Sequence, residues 1–158
     1  MSSEISIPAI VALRPKGYTL RMTANDCIFC KIVRGELPSF KVYEDDAVLA
    51  FLDIHPLNPG HTLVIPKNHS QNIFEVSPED WASVTEVVRK LAGVIEKTLG
   101  AKGINLMMNN REHAGQVVDH SHMHIIPRFT DDSHRQWTHS SYKDGEAENI
   151  LGKIRGAF

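Results

Sequence analysis

Residues 119–127 read Asp119-His120-Ser121-His122-Met123-His124-Ile125-Ile126-Pro127, three histidines alternating with two other residues ahead of an apolar pair. Side chains on a β-strand point to opposite faces with a period of two, so His120, His122 and His124 share one face while Met123 and Ile125 turn toward an apolar layer. A helix would scatter the three rings around its axis. An aligned row of imidazoles is open to two chemistries. Unperturbed imidazole has a pKa of about 6.5, so near pH 7 much of it is neutral and carries a nucleophilic lone pair. The same lone pairs also bind metal. A single histidine is more often packed or solvated than reactive, so the rest of the chain has to decide.

Upstream, Cys27 to Val33 reads as a short helix ended by Gly35. Lys41-Val42-Tyr43 and Val48-Leu49-Ala50-Phe51-Leu52 read as a hairpin around Glu44-Asp45-Asp46, and His61 to Ile65 as a third strand between the Asn58-Pro59-Gly60 turn and Pro66. Ser77, Pro78, Glu79 and Asp80 form a helix start, and Trp81, Val84, Val88, Leu91 and Ile95 recur at helical spacing up to Gly100. Glu86 and Lys90 form an i,i+4 pair on that helix. Its apolar stripe reads as core, because a sheet needs a covered face. Ile104 to Met108 is a fourth strand, Asn109 to Gly115 a polar loop, and Val117 to Ile126 the histidine strand. Beyond Pro127 the chain is polar until Ala147, Ile150, Leu151 and Ile154 mark a short closing helix. Hairpins, then a helix, then more strands, without βαβ alternation, give an α+β class with an antiparallel sheet. The organisation is an N-terminal arm over 1–25, broken by Pro8 and Pro15, a domain over 26–128, and a tail over 129–158. Met22, just ahead of the domain, offers an alternative translation start.

The chain has 158 residues, 42% hydrophobic and 23% charged, which suits one domain with a sizeable core. A formal charge of −2 and the lack of a Lys/Arg run argue against a nucleic-acid surface. No apolar run is long enough to span a bilayer and no secretory leader is evident, so a cytoplasmic protein is expected. Cys27 and Cys30 are too close together to staple a fold, and in a reducing compartment their spacing points to metal or redox work.

A histidine nucleophile attacking phosphorus would form a covalent phospho-histidine and split one displacement into two easier ones. It needs its other ring nitrogen held by an acceptor, and donors where charge grows on the phosphoryl oxygens. His124, Asn109, Gln116 and the amides after Gly115 are candidate donors. Gly115 either lets those amides approach an anion or is a plain turn.

His120-Ser121-His122-Met123-His124-Ile125-Ile126 resembles the histidine triad signature, His-apolar-His-apolar-His-apolar-apolar, with serine at the first apolar position. The resemblance runs from about Asp26 to Arg128 and takes in Cys27 to Ile32, Tyr43 to Asp46, Phe51 to Ile54, Gly60 to Lys67 and Gly115-Gln116. It is strongest to the bacterial Hint-like branch, whose members hydrolyse nucleoside phosphoramidates through a nucleotidyl-histidine. That resemblance implies a fold of five antiparallel strands with one long helix and a short C-terminal one, the sheet continued across a homodimer. It implies His122 as nucleophile, His124 on the phosphate, His61 supporting the nucleophile and Asp53 on the ribose hydroxyls. Ile28, Phe29, Ile32, Phe51 and Ile54 fall where the family builds its slot for the base, and from the residues alone ordinary core packing is the leading reading for them. Asn109 and Gln116 match positions facing the phosphate and leaving group.

The implied activity is hydrolysis of purine nucleoside phosphoramidates such as AMP derivatives at the α-phosphate. Dinucleoside polyphosphate hydrolysis, or a zinc-stabilised nucleotide-binding module with weak catalysis, are the alternatives. Two positions depart from the family pattern. Val117 stands where relatives carry Ser or Thr, and losing that hydroxyl costs about 1–3 kcal/mol, or roughly 10- to 100-fold in rate. Asp119 is charged where relatives are aromatic or apolar, and nothing in the sequence accounts for it. Cys27 and Cys30, with His69 and His120 from distant segments, make a Cys2His2 set, and relatives that keep these residues look like zinc binders. Four protein ligands leave no open position, so such a zinc is structural. Buried free thiols, or a redox pair, are the competing readings of the cysteines.

Overall fold

The computed structural model describes residues 23–134 and 138–158, so the arm expected over 1–25 lies outside the described residues as far as residue 22. In chain order the elements are α1 (Ile28–Val33), β1 (Lys41–Glu44), β2 (Val48–Leu52), β3 (Thr62–Pro66), α2 (Pro78–Leu99), β4 (Gly103–Met107), β5 (Met123–Arg128) and α3 (Glu146–Arg155). A 3-10 turn spans Glu112–Ala114. The strands form one antiparallel sheet in the order β1-β2-β3-β5-β4.

Local chemistry explains the boundaries. The β1–β2 turn is closed by Asp45, whose Oδ1 accepts the amides of Ala47 and Val48 at 2.9 and 2.7 Å. Ser77 caps α2 by accepting the Asp80 amide at 3.0 Å, Pro78 takes the first turn, and Gly100 ends the helix with φ 67°. Gly60, with φ 89°, turns the chain into β3 where a Cβ would run into the Leu99 side chain. On the surface of α2, Glu86 meets Lys90 at 3.4 Å and Arg89 at 2.8 Å.

Alternation in the strands gives the sheet two covered faces. Val48, Ala50, Val64 and Ile125 pack against Val84, Val87, Val88, Leu91 and Ile95 of α2. Each such side chain, fully buried, is worth about 1.5–3 kcal/mol. Leu49, Phe51, Leu63 and Ile65 point the other way and pack with Cys27, Phe29, Cys30 and Ile32 from the start of the chain and α1.

The histidine strand is shorter than its sequence suggests. It begins at Met123 rather than Val117, so only His124 of the three lies in the sheet, opposite Leu63 of β3 and Met107 of β4. The backbone before it is committed elsewhere: the Ser121 amide goes to the Ser70 carbonyl at 2.6 Å and the His120 amide to the Val118 carbonyl at 2.9 Å. The next acceptor on β3, the Pro66 carbonyl, is taken by the His120 ring at 2.8 Å. The C-terminal helix forms as expected but closes nothing, since α3 has no buried residue and Leu151 and Ile154 are exposed. Among the described residues no helix is long and apolar enough to cross a membrane.

Candidate active site

The segment from His120 to His124 contributes its rings to two groupings. His122 and His124 stay together, centroids 5.0 Å apart. His120 sits beside His69, 5.2 Å off, and the two cysteines. Phe29 stands edge-on to both His122 and His120, at 5.4 and 5.9 Å, and to Phe51 at 5.4 Å.

His122 Nδ1 lies 2.6 Å from the His120 carbonyl oxygen. A carbonyl only accepts, so Nδ1 carries the hydrogen and Nε2 is left with a lone pair. Burial lowers the pKa of this ring, opposed by the bond to His120 and the charge of Asp53, and so keeps it neutral.

A second chain of bonds fixes His124. The Leu57 amide donates to His61 Nδ1 at 3.2 Å, so His61 carries its hydrogen on Nε2. That nitrogen sits 2.9 Å from His124 Nδ1, which must then accept and leave the hydrogen of His124 on Nε2. His124 Nε2 is buried with no partner among the described residues. Burial lowers His61 and takes His124 to about 4, with the neighbouring His122 and His61 adding to the effect. The result is a neutral imidazole holding an unspent N–H beside a neutral imidazole holding a lone pair. Asp53 Oδ2 lies 3.7 Å from His61 Nδ1, and its Oδ1 accepts the His55 amide at 2.8 Å. Asp53, His61 and His124 therefore lie close together.

Of the five residues assigned to a base slot, Phe29, Ile32 and Phe51 are buried in the packed layer beside α1, and Ile28 is partly buried against it. Ile54 is half exposed and joins neither packed layer among the described residues. The buried three pack within that layer, from which Phe29 also reaches His122.

The polar loop before the histidines is more self-contained than expected. Gln116 is buried and its amide is fully engaged: Oε1 accepts the Arg111 amide at 2.7 Å, while Nε2 donates to the carbonyls of Gln71 and Val118 at 2.6 and 2.9 Å. The Gly115 amide goes to the Glu112 carbonyl at 2.8 Å and the Gln116 amide to that of Arg111 at 3.1 Å. Neither of these two amides is free to meet an anion, and Gly115, at φ 83°, makes the turn there. Asn109 Nδ2 contacts the Gly115 carbonyl at 3.3 Å. Arg111 adopts φ 70° and ψ 166°, a conformation ordinarily left to glycine, with its guanidinium 4.6 Å over the Phe74 ring. Val117 is exposed. Ser121, at the departure from the triad pattern, finds a buried partner in Ser70 at 2.9 Å.

Cys27, Cys30, His69 and His120 converge, each offering one ligand atom within 4.8 Å of the others. Cys30 Sγ is 3.3 Å from His69 Nδ1 and 3.5 Å from His120 Nδ1, and Cys27 Sγ is 3.5 Å from His120 Nδ1. Tetrahedral bonds of about 2.0–2.3 Å place neighbouring ligands at such separations. Because His120 Nε2 donates to the Pro66 carbonyl, its Nδ1 is left with the lone pair a metal needs. Without a cation, burial and the neighbouring Cys27 push the Cys30 thiol up to about 12, a cost that a divalent ion inverts. The four residues fit a zinc ion. His61, Asp53 and His124 also group closely, but there His61 and His124 bond to one another.

What the sequence does not reveal is the backbone: the His120 carbonyl that orients His122, the Leu57 amide that orients His61, and the support behind Leu57 from Asp132 and His134. No side-chain motif signals a carbonyl or an amide.

An open antiparallel sheet whose second face carries paired histidines next to a Cys2His2 set defines a histidine-triad architecture. The chain belongs to the HIT domain family, whose model matches residues 34–131. It is 47% identical to Protein hit of Bacillus subtilis over 83% of this chain and 93% of that one. It is 43% identical to Adenylylsulfatase HINT3 of Arabidopsis thaliana over 83% and 68%. With the adenosine 5'-monophosphoramidase hnt1 of Schizosaccharomyces pombe the identity is 46% over 65% and 74%. A solved HIT family structure from B. subtilis superposes with TM-score 0.78 at 44% identity, covering 84% of this chain and 97% of that one. A zinc-bound histidine triad protein from Mycobacterium smegmatis superposes with TM-score 0.68 at 32% identity, covering 86% and 100%.

Proposed function

We propose that this protein hydrolyses purine nucleoside phosphoramidates, AMP derivatives above all, at the α-phosphate through a nucleotidyl group carried on His122. The observation that supports it most is the bond from His122 Nδ1 to the His120 carbonyl, which leaves an Nε2 lone pair beside the unspent N–H of His124. His122 Nε2 attacks phosphorus, the P–N bond breaks, and the amine leaves after taking up a proton. His124 donates to the phosphoryl oxygen on which charge grows, and His61 holds His124 in the donating tautomer. Water then attacks the same phosphorus, gives up a proton, and frees the nucleoside monophosphate and His122. The net change is hydrolysis. Asp53, beside the two imidazoles, is the residue for the ribose hydroxyls, and Asn109 is the remaining polar contact for the leaving-group side. Gln116 acts in this scheme by holding the loop.

The names of two relatives, an adenylylsulfatase and an adenosine 5'-monophosphoramidase, support adenylyl chemistry for this fold. Cys27, Cys30, His69 and His120 would hold zinc, which supplies a crosslink between α1 and the histidine segment and no open coordination position. A homodimer fits the sheet, since β4 is an edge strand with Leu106 exposed; a monomeric mass in solution would remove it. Val117, exposed and without a hydroxyl, favours slow transfer and keeps a nucleotide-binding role in view. Turnover separates the enzymatic readings. An adenosine phosphoramidate should be cleaved with the higher kcat/KM, and a preference for a diadenosine polyphosphate would move the assignment to that class of hydrolase.

A further inference from the structure

Asp132 and His134 lie just past the segment that matches the HIT family, yet their bonds lead back to the histidines. The Asp132 carboxylate accepts from Arg128 Nε and Nη2 at 2.7 and 2.6 Å, from the amides of Phe129 and His134 at 3.0 and 3.3 Å, and from Asn58 Nδ2 at 3.0 Å. Arg128 also donates to the His134 carbonyl, so the His134 backbone is gripped from both sides. The His134 ring then reaches across the fold, and its Nε2 lies 2.7 Å from the Leu57 carbonyl, to which it must donate. Leu57 is the residue whose amide selects the tautomer of His61.

We propose that His134 is a positioning residue which, through Leu57, holds His61 and His124 in the tautomers that present an N–H to the phosphate. The bond it protects is a long one, 3.2 Å from Leu57 to His61, at the far end of the usual range. If the Leu57 peptide drifts, His61 Nδ1 has an alternative acceptor in Asp53 Oδ2 at 3.7 Å. Taking it moves the hydrogen from Nε2 to Nδ1 and turns a lone pair toward His124 Nδ1. His124 must then carry its hydrogen on Nδ1, and its Nε2 faces the phosphate as a lone pair, repelling what it should bind. Asn58, bonded to Asp132 through its side chain and to the His61 amide through its carbonyl, pins the same loop at a second point.

The catalytic consequence rests on the hydrolase reading, but the tautomer does not, and the experiment reads both. Imidazole nitrogen-15 spectra of the full zinc-loaded chain are compared for wild type, His134→Ala, His134→Leu and His134→Gln, with phosphoramidate kinetics alongside. Wild type and His134→Gln, which keeps a donor, should show His61 and His124 with the hydrogen on Nε2. His134→Ala and His134→Leu should show a mixture at both rings with His122 unchanged, and kcat lower by about 10-fold at a KM altered less than about twofold. A wild type that shows the tautomers but no turnover would cost the hydrolase reading and leave this one intact. Unchanged tautomers in both donor-less variants, no rescue by glutamine, or an equal disturbance of His122 would overturn it.

Discussion

At His124 the environment removes a charge that the free amino acid would partly carry at neutral pH. Burial and two neighbouring imidazoles lower its pKa to about 4, against about 6.5 in an unfolded chain. Between those values the unfolded state binds more protons than the folded one, so His124 subtracts stability as pH falls from about 6.5 to about 4. Above that window its native neutrality costs nothing. Wild type should therefore lose more unfolding free energy than His124→Gln across the window, and the two should run parallel above pH 7, as read by denaturant titrations at each pH. Equal slopes through the window would show that the ring charges in the folded state. The sequence nominated this histidine and its neighbours, because residue type and a period of two were enough for that. It was silent on which nitrogen of each ring holds hydrogen, since the groups that decide are the Leu57 amide and the His120 carbonyl. Gln116 shows the opposite failing. Its pattern match pointed outward, while its amide is spent on Arg111, Gln71 and Val118.

Among the elements, α1 ties the structure to the chemistry. It is six residues long, too short to be stable alone, and Cys27 at its N-cap makes no side-chain capping bond. What anchors it is the layer of Phe29 and Ile32 against the sheet and the convergence of Cys27 and Cys30 on His69 and His120. Because the His120 carbonyl also orients His122, the metal set and the nucleophile share one residue. Purified protein should carry close to one zinc per chain. Cys27→Ser should lose it and melt at least about 5 °C lower, given roughly 2–4 °C per kcal/mol in a domain of this size. Zinc well below stoichiometric together with an unshifted melting temperature would leave a pair of buried thiols. The elements themselves were legible from caps and periodicity: Ser77 and Gly100 mark the ends of α2 and Asp45 the hairpin. The histidine strand was overextended because alternation cannot distinguish a paired strand from extended backbone whose amides go elsewhere, as that of Ser121 does to Ser70.

The whole molecule places its two layers on opposite faces of one sheet and so separates tasks. The α2 face is a continuous apolar core. The α1 face combines core, metal ligands and the paired histidines, and the loop from Asp53 to His61 is held by Pro127 of β5 and by the segment that follows that strand. The α+β class followed from the order of predicted elements. Contacts between distant segments, such as His134 with Leu57, carry no sequence signature because each partner is unremarkable alone. In the proposed mechanism His122 bears the nucleotide between two displacements. The most direct test mixes the full chain with an adenosine phosphoramidate, quenches within a turnover and weighs the intact protein. A mass increase of one nucleotidyl group, located to the peptide containing His122 and absent from His122→Ala, is predicted. Steady turnover with no such adduct, or undiminished turnover by His122→Ala, would contradict it.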